Sequence, residues 1–306
     1  MKRIAKSKPQ ATATDVLFRF QPKSVEHSYV ISDKVLLHHA DCLLLMNELV
    51  GVFPDGVFDM IFVDPPYFLS SGGITCQAGR MVSVDKGDWD KTAGIEYVHR
   101  FNTEWLSLCQ RLLKPNGTIW VTGTHHVAFS VGFAMQQLGF KILNDITWEK
   151  PNPPPNLSCR YFTHSTETVI WASKNKKSKH VFNYPVMRQQ AGGKQMKTVW
   201  RRDELPYIPE EEAFIWTMTS PARSEKTLGK HPTQKPVRLV ERCILASTSP
   251  GDLVMDCFAG SGTTGIACLN SHRKCVLIEQ EKAFIEVAKA RLGDGLIQLR
   301  QPEKLS

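Results

Sequence analysis

The 306-residue chain contains no apolar run approaching the roughly 18 residues that a membrane-spanning helix requires, so a helical membrane protein is not expected. Its first residues, Met1-Lys2-Arg3-Ile4-Ala5-Lys6-Ser7-Lys8-Pro9, are basic, but no apolar stretch follows them and a secretory signal is not expected either. The eight cysteines (Cys42, Cys76, Cys109, Cys159, Cys243, Cys257, Cys268 and Cys275) include no Cys-x-x-Cys pair and join no histidine at zinc-binding spacing. They read as reduced thiols of a cytoplasmic protein, with no metal site. Internal repeats and low-complexity tracts are missing too. Acidic residues are the scarcer charge, 30 against 38 Lys and Arg, a net of +8. The excess is concentrated: residues 174–230 hold 12 basic and 6 acidic side chains. A polyanionic partner suits that distribution.

The rest of the composition is that of a soluble globular chain, 42% apolar and 22% charged. Short apolar, β-branched runs predict strands over 34–39, 58–63, 118–122, 141–148, 168–172, 253–256 and 274–278. Helical spacing appears over 43–50, 97–113, 127–138, 236–247, from residue 263, and over 281–292. Strands alternating with helices predict an α/β, doubly wound, mostly parallel sheet of seven strands. Residues 1–24 read as a mobile basic arm, 25–173 and 231–306 as the two halves of the α/β domain, and 174–230 as an insertion between them. Residues 68–94, rich in Gly, Ser and Asp, read as a long functional loop.

Three segments carry chemistry. Asp256-Cys257-Phe258-Ala259-Gly260-Ser261-Gly262-Thr263-Thr264 follows a predicted strand and opens a predicted helix. Its glycines let the backbone turn tightly against a ligand. Glu279, ending the next strand, is placed to accept from ribose hydroxyls. With Gly265 the pattern nearly completes Gly-x-Gly-x-x-Gly, so a dinucleotide site stays open at this point. The second segment, Asp64-Pro65-Pro66-Tyr67, ends an apolar strand, where doubly wound sheets bind ligands. An amino group on a purine ring is a poor nucleophile, because its lone pair is delocalised. Two acceptors aimed at its protons localise that pair. Asp64 offers a carboxylate, Pro65 a carbonyl, Pro66 stiffens the turn, and Tyr67 offers a face on which a base stacks. The third, His231-Pro232-Thr233-Gln234-Lys235-Pro236, precedes a helix and offers Thr233, Gln234 and Lys235 to a carboxylate or phosphate.

In their chain order, Asp64 to Tyr67 first, His231 to Pro236 next and the glycine turn last, the three segments resemble the β-class DNA amino-methyltransferases, over residues 35–292. The resemblance implies a Rossmann-like methyltransferase sheet with an inserted target-recognition region, S-adenosylmethionine as cofactor, and DNA as substrate. It implies that Asp64, Pro65, Pro66 and Tyr67 are catalytic. The cofactor would be held by Asp41, Cys42, Asp64, Thr233, Lys235, Asp256, Phe258, Gly260, Ser261, Gly262, Thr263, Thr264 and Glu279. Cys257 departs from the proline usual there, and a small adjustment of the turn is expected. Residues 84–90 and 156–167 are similar to the second methylase of GATC-type restriction systems, which implies N6 methylation of the adenine in GATC, with single strands tolerated as well as duplex. It also allows a homodimer, and a cognate restriction endonuclease as a functional, non-physical partner. N4-cytosine enzymes usually carry serine where Asp64 stands, and protein-glutamine methyltransferases resemble Asn-Pro-Pro-Tyr. An NAD-dependent dehydrogenase or a non-catalytic DNA-binding module would leave Asp64 to Tyr67 unexplained. In the basic stretch, Lys176, Lys177, Lys179, Arg201 and Arg202 are candidates for phosphate contact, and Arg188 and Arg223 for reaching bases.

Overall fold

Short runs of Val, Ile and Leu buried on both faces make the middle of the sheet, as parallel strands covered by helices require. The computed structural model describes residues 12–68, 74–77, 80–83, 94–150, 153, 155–200 and 234–300, with side chains for all but 74–77, 80–83 and 294–300. In chain order the elements are α1 (Ala13–Arg19), β1 (Val25–Ser32), β2 (Val35–Ala40), α2 (Cys42–Val52), β3 (Phe58–Val63), β4 (Ile74–Gln77), β5 (Arg80–Ser83), α3 (Ile95–Leu112), β6 (Leu113–Gly123), α4 (His125–Gln137), β7 (Lys141–Glu149), β8 (Thr166–Ser173), α5 (Tyr184–Gln190), β9 (Val199–Trp200), α6 (Val237–Ser247), β10 (Leu253–Asp256), α7 (Thr263–Asn270), β11 (Lys274–Glu279) and α8 (Lys282–Arg300).

The main sheet has nine strands in the order β1-β2-β11-β10-β3-β6-β8-β7-β9. Strands β2, β11, β10, β3 and β6 are parallel, and β8 runs against β6 and β7. With β7 and β8 these five are the seven strands expected from the sequence. Two more extend the edges: β1 pairs antiparallel with β2, and the two-residue β9 pairs with β7. The expected 68–94 loop contains a separate β4–β5 hairpin. Turn residues 114–117 prove to be an irregularity inside β6, since Phe58 pairs with Leu113 and Met60 with Thr118.

Alternation along each strand sends side chains to two cores. Leu36, Ile61, Val63, Ile119 and Val121 face α2, α3 and α4. Val35, Leu37, Met60, Phe62 and Trp120 face α5, α6, α7 and α8. Helix α3 is amphipathic: Val98, Trp105, Leu106, Leu108, Cys109 and Leu112 are buried while its other face meets water. Burial of each such large side chain stabilises the fold by roughly 1.5–3 kcal/mol. Trp120 stacks on its cross-strand partner Trp171 at 4.7 Å and 12°. No helix among the described residues is long and apolar enough to cross a membrane.

The boundaries differ from expectation in two places. The arm read over 1–24 includes α1, held by a Thr12–Asp15 capping box and by Leu17, which is buried. The insertion read over 174–230 is part of the domain through residue 200: Met187 of α5 joins the second core, and β9 extends the sheet. Asn183 donates to the Leu245 and Thr248 carbonyls at the end of α6, both at 2.7 Å. Neither α1 nor α5 exceeds seven residues, too short to persist on propensity alone, so tertiary packing makes them helical.

Candidate active site

The five parallel strands all end at one edge, and each ends in or beside a polar residue. Across the sheet these are Asp41 after β2, Glu279 of β11, Asp256 of β10, Asp64 after β3 and Thr122 near the end of β6. They border a cleft of about 600 Å³, whose walls include Asp41, Cys42, Asp64, Pro65, Pro66, Tyr67, Lys235, Asp256, Phe258, Gly260, Ser261, Thr263, Thr264 and Glu279. Segments some 190 residues apart are neighbours because β3 and β10 are adjacent, with Met255 paired to Ile61. Every expected catalytic and cofactor residue that is described, apart from Gly262, therefore lines one cavity. Gly262 supports the turn from behind, and Thr233 lies outside the described residues.

The glycine turn is tightly built. Asp256, buried, accepts from the Phe258 amide at 3.0 Å and from the Thr264 hydroxyl at 2.5 Å. Gly262 caps α7 at φ +77°, and a Cβ there would lie 3.1 Å from that of Ala288. Gly265 meets a different demand: its Cβ would come 2.7 Å from Leu292 and 2.9 Å from Leu277, so this glycine lets α7 lie close against α8 and β11. Glu279 accepts from the Gly260 amide at 2.7 Å and from the Glu281 amide at 2.8 Å. From α8, buried Arg291 donates to the Ser261 carbonyl at 2.6 Å, the Ser261 hydroxyl at 2.5 Å and the Thr263 hydroxyl at 3.1 Å. Cys257, where proline was the expected occupant, is buried in the first core, and burial pushes its thiol pKa well up.

Carboxylates dominate the wall. Burial pushes Asp256 up to about 7, with the charges of Asp64 and Glu279 adding to the shift. Burial likewise raises Glu279. A cation bound between these groups relieves both effects. S-adenosylmethionine, cationic at sulfur and at its amino group, fits such a wall, and the chemistry of the donors gives it partners for ribose hydroxyls as well.

The Asp64 corner is closed. Asp64 Oδ1 accepts from the Tyr67 hydroxyl and from the Thr122 hydroxyl, each at 2.7 Å, and Oδ2 from Lys235 Nζ at 2.7 Å. Lys235 also lies 3.0 Å from the Tyr67 oxygen and 5.3 Å from its ring centre. Tyr67, expected to present an open face, is 7% exposed, and burial followed by the Asp64 charge raises its pKa well above the usual phenol range. Burial opposes the charge on Lys235, but Asp64 and Glu167 outweigh it and raise its pKa. The lysine, read from sequence as a cofactor residue, is thus bonded to the Asp-Pro-Pro-Tyr corner. Next to that corner Phe68 takes φ +54° and packs edge-on against Phe101 and Tyr97 of α3.

Thr122, Glu167, Arg291 and the α3 side chains Tyr97, Arg100 and Phe101 escaped the sequence reading. Glu167 ends the 156–167 segment without having been singled out there, the others stand in no recognisable motif, and only the fold brings them to the site. The basic candidates divide differently. Lys176, Lys177 and Lys179 are exposed, but their segment is tied to residues 115–116: Ser178 donates to the Pro115 carbonyl and the Lys179 amide to Asn116. That is the start of β6, the sheet edge opposite the cleft, so contact with phosphates beside a base in the cleft does not follow for these three. Arg188 is exposed and donates to the Gly193 carbonyl at 2.6 Å. Arg201, Arg202 and Arg223 lie outside the described residues. At the cleft edge itself, the segment before β8 exposes Arg160, Tyr161 and Phe162, the last at 95%.

Residues 58–290 match the family model for DNA methylases of the N6 and N4 type. The chain belongs to this DNA methylase family. The methylase is 50% identical over 268 residues to the type II methyltransferase M2.LlaDCHI of Lactococcus lactis subsp. cremoris, covering 87% of this chain and 92% of that one. It is 49% identical over 265 residues to the type II methyltransferase M2.DpnII of Streptococcus pneumoniae, with 86% and 91% covered. Among solved structures, the M1.HpyAVI complex with S-adenosylmethionine aligns at a TM-score of 0.59 and 30% identity, over 84% of this chain and 98% of that one. The cytosine-N4-specific PvuII methyltransferase shares the fold, with a TM-score of 0.60 at 21% identity over 89% and 88%. S-adenosylmethionine is therefore the cofactor and DNA the substrate, which closes the dinucleotide reading of Gly260, Gly262 and Gly265.

Proposed function

We propose that the methylase modifies the N6 amino group of an adenine in DNA, with GATC as its target. The reading is carried by one observation: the Asp64 corner and the glycine turn open into the same cleft. Asp41, Cys42, Phe258, Gly260, Ser261, Thr263, Thr264 and Glu279 would hold the cofactor, with Gly262 shaping the turn and Thr233 and Lys235 closing over it. When bound, S-adenosylmethionine supplies the electrophilic methyl. The target adenine must leave the duplex, at a cost of a few kcal/mol. Asp64 and the Pro65 carbonyl then accept from its two N6 protons and direct the lone pair across the cleft. Tyr67 stacks on the base once the corner opens. After transfer the amino nitrogen carries one proton too many, and Asp64 is the base in reach. Alignment, more than acid strength, is the enzyme's contribution.

The aspartate at position 64 supports adenine over cytosine N4. Phosphate contacts are assigned to the cleft-side edge, with Arg160 beside Tyr161 and Phe162, and to Arg201 and Arg202, with Arg223 reaching towards bases; binding should weaken steeply with salt. Action in the cytoplasm, a paired nuclease of the same specificity and self-association belong to the same reading. Single-molecule sequencing of unmodified DNA treated with the enzyme tests it. N6-methyladenine at GATC is expected, and Asp64→Ala should abolish it while cofactor binding survives. Methyl groups on cytosine N4 would replace the adenine assignment, and an active Asp64→Ala enzyme would overturn the mechanism.

A further inference from the structure

Glu167 stands near the start of β8, 7% exposed. One of its oxygens, Oε1, takes the ammonium of Lys150. The other, Oε2, is buried and has no hydrogen-bond partner among the described residues, yet Lys235 Nζ lies only 3.6 Å away. A buried carboxylate oxygen left without a donor is costly, and such an atom calls for an explanation. A second difficulty sits next to it. A carboxylate has about four lone-pair positions, and Tyr67 and Thr122 take both on Asp64 Oδ1. An incoming amino group must use Oδ2, where Lys235 already sits at 2.7 Å. The same ammonium lies 3.0 Å from the Tyr67 oxygen, at the hydroxyl edge of the ring on which a base would stack.

One movement resolves all of this. We infer that Lys235 has two seats, Asp64 in the form described and Glu167 when the target base enters, so that Glu167 is a positioning residue of methyl transfer. A shift of about 0.8 Å brings the lysine to charge-assisted bonding distance of Oε2. The ammonium then satisfies the orphaned oxygen, frees Asp64 Oδ2 for the N6 proton and draws back from the Tyr67 hydroxyl. The inference deepens the reading of Asp64 as acceptor and rests on it.

The experiment measures the single-turnover rate of labelled methyl incorporation at saturating cofactor and DNA, whichever base accepts the label. Sequencing of the product identifies that base, so failure of the adenine assignment is seen separately. Glu167→Gln should slow transfer by roughly ten- to a hundredfold, the worth of one charge-assisted hydrogen bond, with Kd for cofactor and DNA within about twofold of the parent. Glu167→Asp should recover part of the rate. Adding Lys235→Met to Glu167→Gln should restore at least about tenfold, because the obstruction is then gone; a purely structural role for Glu167 predicts no recovery. A Glu167→Gln rate within twofold of the parent would overturn the inference. So would a double variant no faster than Glu167→Gln.

Discussion

Arg291→Met offers a test of how the glycine turn is held. The substitution keeps the stem of the side chain and removes three hydrogen bonds, to the Ser261 carbonyl, the Ser261 hydroxyl and the Thr263 hydroxyl. Ser261 is 3% and Thr263 7% exposed, so water reaches these oxygens poorly. Each buried group left unpaired costs about 1–3 kcal/mol, offset in part by no longer burying a guanidinium. The net loss of stability should be about 2–4 kcal/mol, read as a lower urea midpoint at unchanged m-value. Because Ser261 and Thr263 also line the cleft, part of the loss falls on ligand binding. Affinity for S-adenosylmethionine, measured by calorimetry, should fall about tenfold, equivalent to about 1.4 kcal/mol. Binding of DNA without cofactor should be unchanged. Arg291→Lys should rescue little, since its ammonium ends about one bond short of Nη1, the single nitrogen that makes all three bonds. An Arg291→Met protein with the parent's urea midpoint and cofactor Kd would refute the reasoning.

Two further expectations follow from buried groups. Thr122→Val is isosteric at a fully buried site and deletes the donor to Asp64 Oδ1 together with a longer bond to the Val63 carbonyl at 3.4 Å; kcat should drop about tenfold or more with cofactor affinity intact, and an unchanged kcat would show that the hydroxyl does not orient the carboxylate. Burial lowers His38 from its ordinary 6.5 to about 4, so the unfolded chain binds its proton first. The stability that neutral His38 contributes is complete above about pH 6.5 and is lost as pH falls towards 4, about 3 kcal/mol in all. Asp256, pushed up to about 7 by burial, runs the opposite way over the same range. The parent's own profile therefore mixes opposing contributions, and the contrast with His38→Asn is what isolates that of His38. The stability difference between the two proteins should narrow by about 3 kcal/mol from pH 7 to 4; a constant difference in urea titrations would contradict it.

Elements that bury a continuous apolar face were legible from residue order. The seven central strands and six of the helices fall where periodicity placed them. What was missed depends on partners. The burial of β1 along Val25–Ser32 does not alternate cleanly, because an edge strand has one neighbour and much solvent. Strand β9 is two residues long and exists only because β7 offers it an edge. The site divides in the same way. Asp64 to Tyr67 and the glycine turn stand in motifs, because consecutive residues must build each corner. Thr122, Glu167 and Arg291 act as single residues, from strands and a helix whose nearness is a property of the sheet order. The lysines at 176, 177 and 179 were misplaced for a related reason: charge density says that a stretch is basic, not which end of the sheet it reaches.

The interleaving of the sheet has a consequence for biosynthesis. Strands β2 and β3 are separated by β10 and β11, which come from the last quarter of the chain. A nascent chain extended to about residue 250 holds two apolar strands whose shared neighbours do not yet exist, and their open edges are sticky. Closing such distant pairings is slow. Until the final segment emerges from the ribosome the acceptor corner has no floor beside it, so the enzyme cannot begin to mark DNA while it is still being made. Partial products would be inert towards the genome and prone to aggregate.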